Sequence, residues 1–122
     1  MTFEERKEQV KSYLGKAVKI KIDRPIGYVH KKENYSLTYP VNYGYIPDVI
    51  GGDGEELDVY LLGVNEPVKE YTAKVIAIAH RYNDVEDKLI AVPEGMTFDK
   101  TEIEQAVCFQ EQYYETEIEV FE

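Results

Sequence analysis

Asp53, Glu55 and Asp58 crowd into six positions, set among Gly51, Gly52 and Gly54 and followed by an apolar run from Leu57. Carboxylates packed this closely repel one another unless a cation neutralises them. Mg²⁺ is the fitting cation. It takes hard oxygen ligands in octahedral geometry, keeps several waters, and commonly binds through a few carboxylates together with substrate phosphates. The glycines let the backbone take positive φ and approach a ligand closely, while Asp58 stands at a strand start whose rigid backbone can hold a metal ligand. Just upstream, Tyr39, Tyr43 and Tyr45 carry hydroxyls suited to phosphate oxygens. Each could equally be a core aromatic with a polar tip reaching water. Asp53-Gly54 alone would be a solvated acidic turn. Joined to Asp58 and the tyrosines, it reads as a place where a metal ion meets a phosphorylated ligand. An EF-hand does not fit, because the alternating acids and the distal glutamate are missing.

A second acidic group, Asp84, Glu86 and Asp87, lies between a strand ending at His80 and a strand opened by Lys88. By itself Asn83-Asp84-Val85-Glu86-Asp87 is a polar hairpin connection. Two acidic loops flanked by strands would converge at one end of a barrel, with Lys88 at the mouth offering phosphate a point charge. His30 and Lys31 follow the irregular Arg24-Pro25-Ile26-Gly27 and are candidate phosphate contacts. His80 ends an apolar strand and reads as structural. The two histidines share no metal-ligand spacing, which argues against a zinc site.

These residues need a rigid frame, and the rest of the chain spells one out. Thr2-Phe3-Glu4-Glu5 has the form of a capping box opening a helix with Phe3, Val10 and Leu14 on one stripe, and Gly15 fits its stop. Val18, Ile20 and Ile22 alternate with Lys19, Lys21 and Asp23, which predicts a half-buried strand. Leu57–Val64, Ala73–Ala79 and Leu89–Val92 read as core strands. Asp99 with Glu102 opens a second helix carrying Ile103, Ala106, Val107 and Gln110, and Glu117–Phe121 alternates as a closing strand. The expected fold class is α+β, mainly β: a small, mainly antiparallel β-barrel flanked by one or two helices. Periodicity alone does not choose between a barrel and an open sheet.

Composition narrows the function. At 122 residues, with 43% hydrophobic and 31% charged side chains, the chain has the length and make-up of a single domain, residues 1–122. A formal net charge of -10 disfavours a nucleic-acid-binding face and suits a protein that collects divalent cations. Cys108 stands alone, so no internal disulfide forms; between Val107 and Phe109 it is expected to be buried. The sequence shows no signal-like segment or membrane-length apolar run, so the cytoplasm, away from the membrane, is the expected location.

Tyr39-Pro40-x-Asn42-Tyr43-Gly44-Tyr45-Ile46, followed by Asp53-Gly54-Glu55-x-x-Asp58-Val59, resembles the family I inorganic pyrophosphatases. Lys88-Leu89-Ile90-Ala91-Val92-Pro93 resembles that family's lysine-led strand, and Phe109-x-Glu111-x-Tyr113 its late helix. The resemblance runs over residues 17–114. It implies a small OB-like barrel that uses Mg²⁺, with Mn²⁺ as a substitute, to hydrolyse pyrophosphate to two phosphates, and a tendency to form homo-oligomers. It further implies that Asp53, Asp58 and Glu86 are metal ligands, with Asp84 the remaining acid able to join them. Glu55 would help activate the attacking water. Tyr43, Tyr39, Lys88 and Tyr113 would contact phosphate. The likeness lapses at Tyr114, where the family has a lysine, at Lys21, where it has a glutamate, and at Arg81-Tyr82, where ungapped alignment puts an acidic pair. Arg24, His30, Lys31 and Lys32 are the bases available for phosphate contacts left unplaced. Three other readings stay open: a protein that binds metal and phosphorylated ligand without efficient turnover, a hydrolase of another phosphoanhydride such as a nucleotide, and an OB-like interaction module with solvated acidic loops.

Overall fold

The computed structural model describes residues 2–31, 33–50, 56–83 and 87–121. Its helices are α1 (Phe3–Lys11) and α2 (Lys100–Glu111); its strands are β1 (Ala17–Arg24), β2 (Val29–Lys31), β3 (Ser36–Thr38), β4 (Asn42–Ile50), β5 (Glu56–Leu61), β6 (Glu70–Arg81), β7 (Lys88–Val92) and β8 (Thr116–Val120). Both helix starts follow from local chemistry. Thr2 and Asp99 each accept the amide of the residue three on, and Glu5 and Glu102 reach back to the cap amides. The first helix stops earlier than Gly15 suggested. Its C-cap is Ser12, and Gly15 (φ +82°) serves the following turn, its amide donating to the Val75 carbonyl at 2.8 Å.

The sheet runs β1-β4-β5-β7-β6-β8, and β1 also pairs β6, so five strands close into a barrel. β6 achieves this through length. Lys74–Ala79 pair with β7, while Glu70–Lys74 take β1 and Ala77–Arg81 take β8. Closure matches the expected OB-like barrel with two flanking helices. All pairings are antiparallel except β5–β7, which is parallel with Val59 opposite Leu89. Gly44 is obligatory where β4 meets β1, because a Cβ there would collide with the Lys21 carbonyl.

Strand alternation sorts the core into two layers. Val18, Ile20, Ile46, Leu57, Val59, Leu61, Val75, Ile78, Leu89 and Ala91 fill the barrel, with Val10 of α1 inserted among them. Tyr43, Tyr60, Leu62, Ala77, Ala79, Ile90 and Val92 form the outer face, which packs against Ile103 and Val107 of α2, Ile118 of β8 and Tyr39. Cys108 corrects an expectation. It is exposed, because the buried stripe of α2 runs Ile103, Val107, Glu111 and leaves the next position turned outwards.

Candidate active site

Asp58, Lys88 and Tyr43 meet because of strand register. The parallel pairing sets Val59 beside Leu89, so the residue before each, Asp58 and Lys88, also stand side by side. Lys88 Nζ lies 2.6 Å from Asp58 Oδ2. On the other side of β5, Tyr43 is opposite Tyr60, which puts its ring diagonally across from Asp58. Its hydroxyl donates to the same Oδ2 at 2.9 Å. These residues share the outer face with Tyr60 and Ile90, so Lys88 projects from the side of the barrel under the lip of α2. Lys88 is the first residue of β7, on the face opposite the inward Leu89.

Burial tunes these groups. The Lys88 ammonium is pushed down by desolvation, with the Asp58 charge opposing. The Tyr43 phenol is pushed well up, first by burial and then by Asp58. Asp23, on the outer face of β1, has its carboxyl raised by partial covering and by the charges of Asp58 and Glu56. Asp23, Glu56 and Asp58 therefore lie within electrostatic reach of one another. The described residues contain no group of three metal-ligating side chains in coordinating position. Asp53, Glu55, Asp84 and Glu86, four of the acids assigned to catalysis and metal binding, fall outside the described residues.

The tyrosine turn builds a second wall. Tyr39 is fully buried, its ring 5.5 Å from Tyr43 and 5.0 Å from Phe109. Its hydroxyl accepts from Arg24 Nη1 and donates to Gln110 Oε1 at 2.7 Å. The Arg24 guanidinium lies 5.4 Å from the Tyr39 ring centre and 5.8 Å from those of Tyr28 and Tyr43. Arg24 is the base brought closest to the turn, and its place near a tyrosine cluster has no local signature in the sequence.

A polar chain leads on from Gln110. Its amide nitrogen donates to the Tyr60 hydroxyl at 2.7 Å, and that hydroxyl donates to Glu111. Glu111 is gripped by Arg81 through two guanidinium nitrogens and by the Thr116 hydroxyl at 2.9 Å. Burial would raise the Glu111 carboxyl, but Arg81, Tyr60 and Thr116 outweigh it and hold it low. Tyr114 covers this pair, its ring centre 3.7 Å from the Arg81 guanidinium carbon. The two departures at 81 and 114 are thus one structural unit, a buried ion pair under an aromatic lid.

The remaining assigned contacts lie elsewhere. Tyr113 is 54% exposed and stacks on Tyr35 with ring centres 5.6 Å apart. His30 and Lys31 sit in β2, opposite Leu37 and Ser36 in the small second sheet. The described contacts tie none of the three to Asp58 or Lys88. His80 is structural, as expected. It is buried, with Nδ1 3.4 Å from Asp87 and Nε2 2.6 Å from Glu119.

Comparison with known proteins places this arrangement. The chain is 29% identical over 100 residues to an inorganic pyrophosphatase of Rickettsia typhi, covering 75% of this chain and 56% of that protein. It is 41% identical over 66 residues to one of Saccharolobus solfataricus, covering 51% and 38%. The chain spans about half the length of the Rickettsia relatives it matches. In fold it is similar to an inorganic pyrophosphatase structure from Ehrlichia chaffeensis, with TM-score 0.67, 19% identity and 88% of each chain covered. One from Neisseria gonorrhoeae gives TM-score 0.59 at 22% identity, covering 81% of this chain and 74% of that one. The inorganic pyrophosphatase family model matches residues 10–121, a span that takes in the tyrosine turn, Asp58, Lys88 and α2, and the chain therefore belongs to the inorganic pyrophosphatase family.

Proposed function

We propose that the protein hydrolyses inorganic pyrophosphate to two phosphates with Mg²⁺ as cofactor, Mn²⁺ substituting, in one domain formed by residues 1–122 and acting in the cytoplasm. No helix of the described residues is long and apolar enough to cross a membrane. The observation that carries the reading is Lys88 and Tyr43 converging on one oxygen of Asp58. That carboxylate is 28% exposed in its side chain, and its other oxygen is not engaged by these two donors.

The donor set fits Mg²⁺. Asp58 and Asp23 are hard oxygen donors, and the Asp58 charge reaches the Asp23 carboxyl, making its ionised form costlier unless a cation is near. Asp58 would hold the ion, joined by Asp53, Glu86 and Asp84. Bound there, Mg²⁺ supplies charge neutralisation and makes water a stronger acid at neutral pH. The chain's own groups do the rest. Lys88 offers fixed positive charge to a phosphoryl oxygen as negative charge builds on the departing phosphate. The Tyr43 hydroxyl stays protonated, since burial and Asp58 both oppose its ionisation, and so remains a donor. Arg24, held by Tyr39, supplies a second cation on the tyrosine side. Glu55 would help to orient and deprotonate the attacking water. Tyr39, Tyr113, His30 and Lys31 are proposed as further phosphate contacts, and self-association is proposed by likeness to the family.

The Arg81–Glu111 pair under Tyr114 favours a second reading, binding without efficient turnover, because a neutralised ion pair with its aromatic cover occupies two positions, 81 and 114, where the resemblance to the family lapses. Phosphate release from pyrophosphate and from a nucleoside triphosphate, with and without Mg²⁺, separates the cases. Mg²⁺-dependent release from pyrophosphate that Asp58→Asn lowers by about 100-fold or more is the expected result. Tight Mg²⁺-dependent binding with no release would establish the second reading, and preference for the nucleotide would change the substrate. If neither ion nor pyrophosphate binds, as judged by an unchanged melting temperature, the site assignment fails.

A further inference from the structure

We infer that α1 belongs to the active-site machinery: Arg6 and Lys7, acting through the buried Asp87, are positioning residues for Lys88. The inference rests on the catalytic reading above and adds an element that no site residue named so far contains.

Asp87 and Lys88 are successive residues with side chains on opposite faces of the chain. Lys88 points outwards to Asp58, and Asp87 points to the inner end of the barrel, beneath α1. The last described β6–β7 pair is Ala79 with Lys88. Beyond it a side chain takes over from the ladder. Asp87 Oδ1 accepts the Arg81 amide at 2.9 Å, closing the β6–β7 connection just where its strands part. The same carboxylate accepts from Lys7 Nζ at 3.0 and 3.2 Å and from Arg6 Nη2 at 3.2 Å. Arg6 Nη2 also donates to the Arg81 carbonyl at 2.7 Å, so one guanidinium grips both sides of the connection.

The clamp is fully desolvated on the acid side, with 0% of the Asp87 side chain exposed and 8% and 12% of Arg6 and Lys7. A carboxylate so enclosed and so heavily donated to has one well-defined position. The helix that delivers the two bases is itself fixed, because Val10 is buried inside the barrel. Position therefore passes from core to Val10, to Arg6 and Lys7, to Asp87, and by one peptide unit to Lys88. Supporting contacts of this kind typically change affinity or activity by about 10–100-fold when removed. A shift of about 1 Å at a catalytic group can cost on the order of 100-fold in rate.

The test compares Lys7→Met, Lys7→Arg and Lys11→Met in the full chain, at a temperature where each is shown to be folded. Lys11 supplies the control, since it lies on the same helix but, among the described residues, its ion pair is a more exposed one, with Glu119 at 3.8 Å. The expected result is a fall of about 10-fold in kcat at saturating Mg²⁺ and pyrophosphate for Lys7→Met, recovery to within about 2-fold for Lys7→Arg, and no change for Lys11→Met. Calorimetric affinity for imidodiphosphate with Mg²⁺ gives a readout independent of turnover and should weaken in the same order. If the unsubstituted protein binds imidodiphosphate but releases no phosphate, the catalytic reading fails and the affinity series alone judges the clamp. A folded Lys7→Met with unchanged kcat and affinity would overturn the inference. Should Lys7→Met not fold, Arg6→Lys, which keeps the charge but gives up the guanidinium's double grip, replaces it under the same criteria.

Discussion

Asp58 and Asp87 are two carboxylates bonded to neighbouring stretches of the same sheet, and they have opposite surroundings. Asp58 offers one oxygen to Lys88 and Tyr43 and keeps part of its surface open. Asp87 is sealed, with Arg6, Lys7, the Arg81 amide and His80 around it. The difference teaches how to separate a working acid from a supporting one. An acid whose hydrogen-bonding capacity is spent inside the protein has nothing left for a ligand, whatever its charge.

Substitution breaks or sharpens this contrast most directly. Asp87→Ala should cost about 3–5 kcal/mol in urea unfolding, because it strands two nearly buried cations. Asp58→Asn should keep the fold while losing activity. A larger stability loss at Asp58 than at Asp87 would reverse the roles assigned to them. Tyr114→Lys tests whether the Arg81–Glu111 pair belongs with the sealed region. It removes a cation–π contact and adds a like charge beside Arg81, so a loss of about 1–2 kcal/mol is expected. A melting temperature equal to or above that of the unsubstituted protein would show that the stack stabilises nothing.

Acid provides the mildest probe. Burial would raise the Asp87 carboxyl, but hydrogen bonds from His80, the Arg81 amide and Lys7, aided by the Lys7 charge, hold it down at about 2 from an ordinary 3.8. A depressed folded value means that Asp87 contributes stability above the ordinary carboxylate range and loses it as pH falls towards about 2. Urea midpoints should therefore drop between about pH 5 and about pH 3, and the drop should be smaller in Asp87→Asn. Equal drops in both proteins would assign the acid sensitivity to other groups.

What could be read in the sequence was local or periodic. Both capping boxes are complete within four residues, and the alternation of Val18, Ile20 and Ile22 directly encodes which face of β1 is buried. Tyr43, Asp58 and Lys88 were legible because each sits in a dense run of unusual residue types. The rest depended on closure. Arg6 and Asp87 are 81 positions apart, and only the docking of α1 over the barrel end brings them together. Alternation along β7 puts Leu89 and Ala91 on one face and Ile90 and Val92 on the other, without saying which is interior when both are apolar. Cys108 misled for a similar reason. Its neighbours are apolar, but helical rotation turns it away from the stripe they define.

The long β6 strand has a consequence for how copies of the protein can meet. By giving its second half to β8, it moves the open edge of the six-stranded sheet from the barrel wall to Thr116–Val120. That edge strand is five residues long and carries Glu117 and Glu119. Short, charged edges resist the addition of another strand, since each new backbone pairing would set acid against acid. A second copy would therefore find little reward in extending the sheet, and two glutamates keep the risk of runaway strand stacking low.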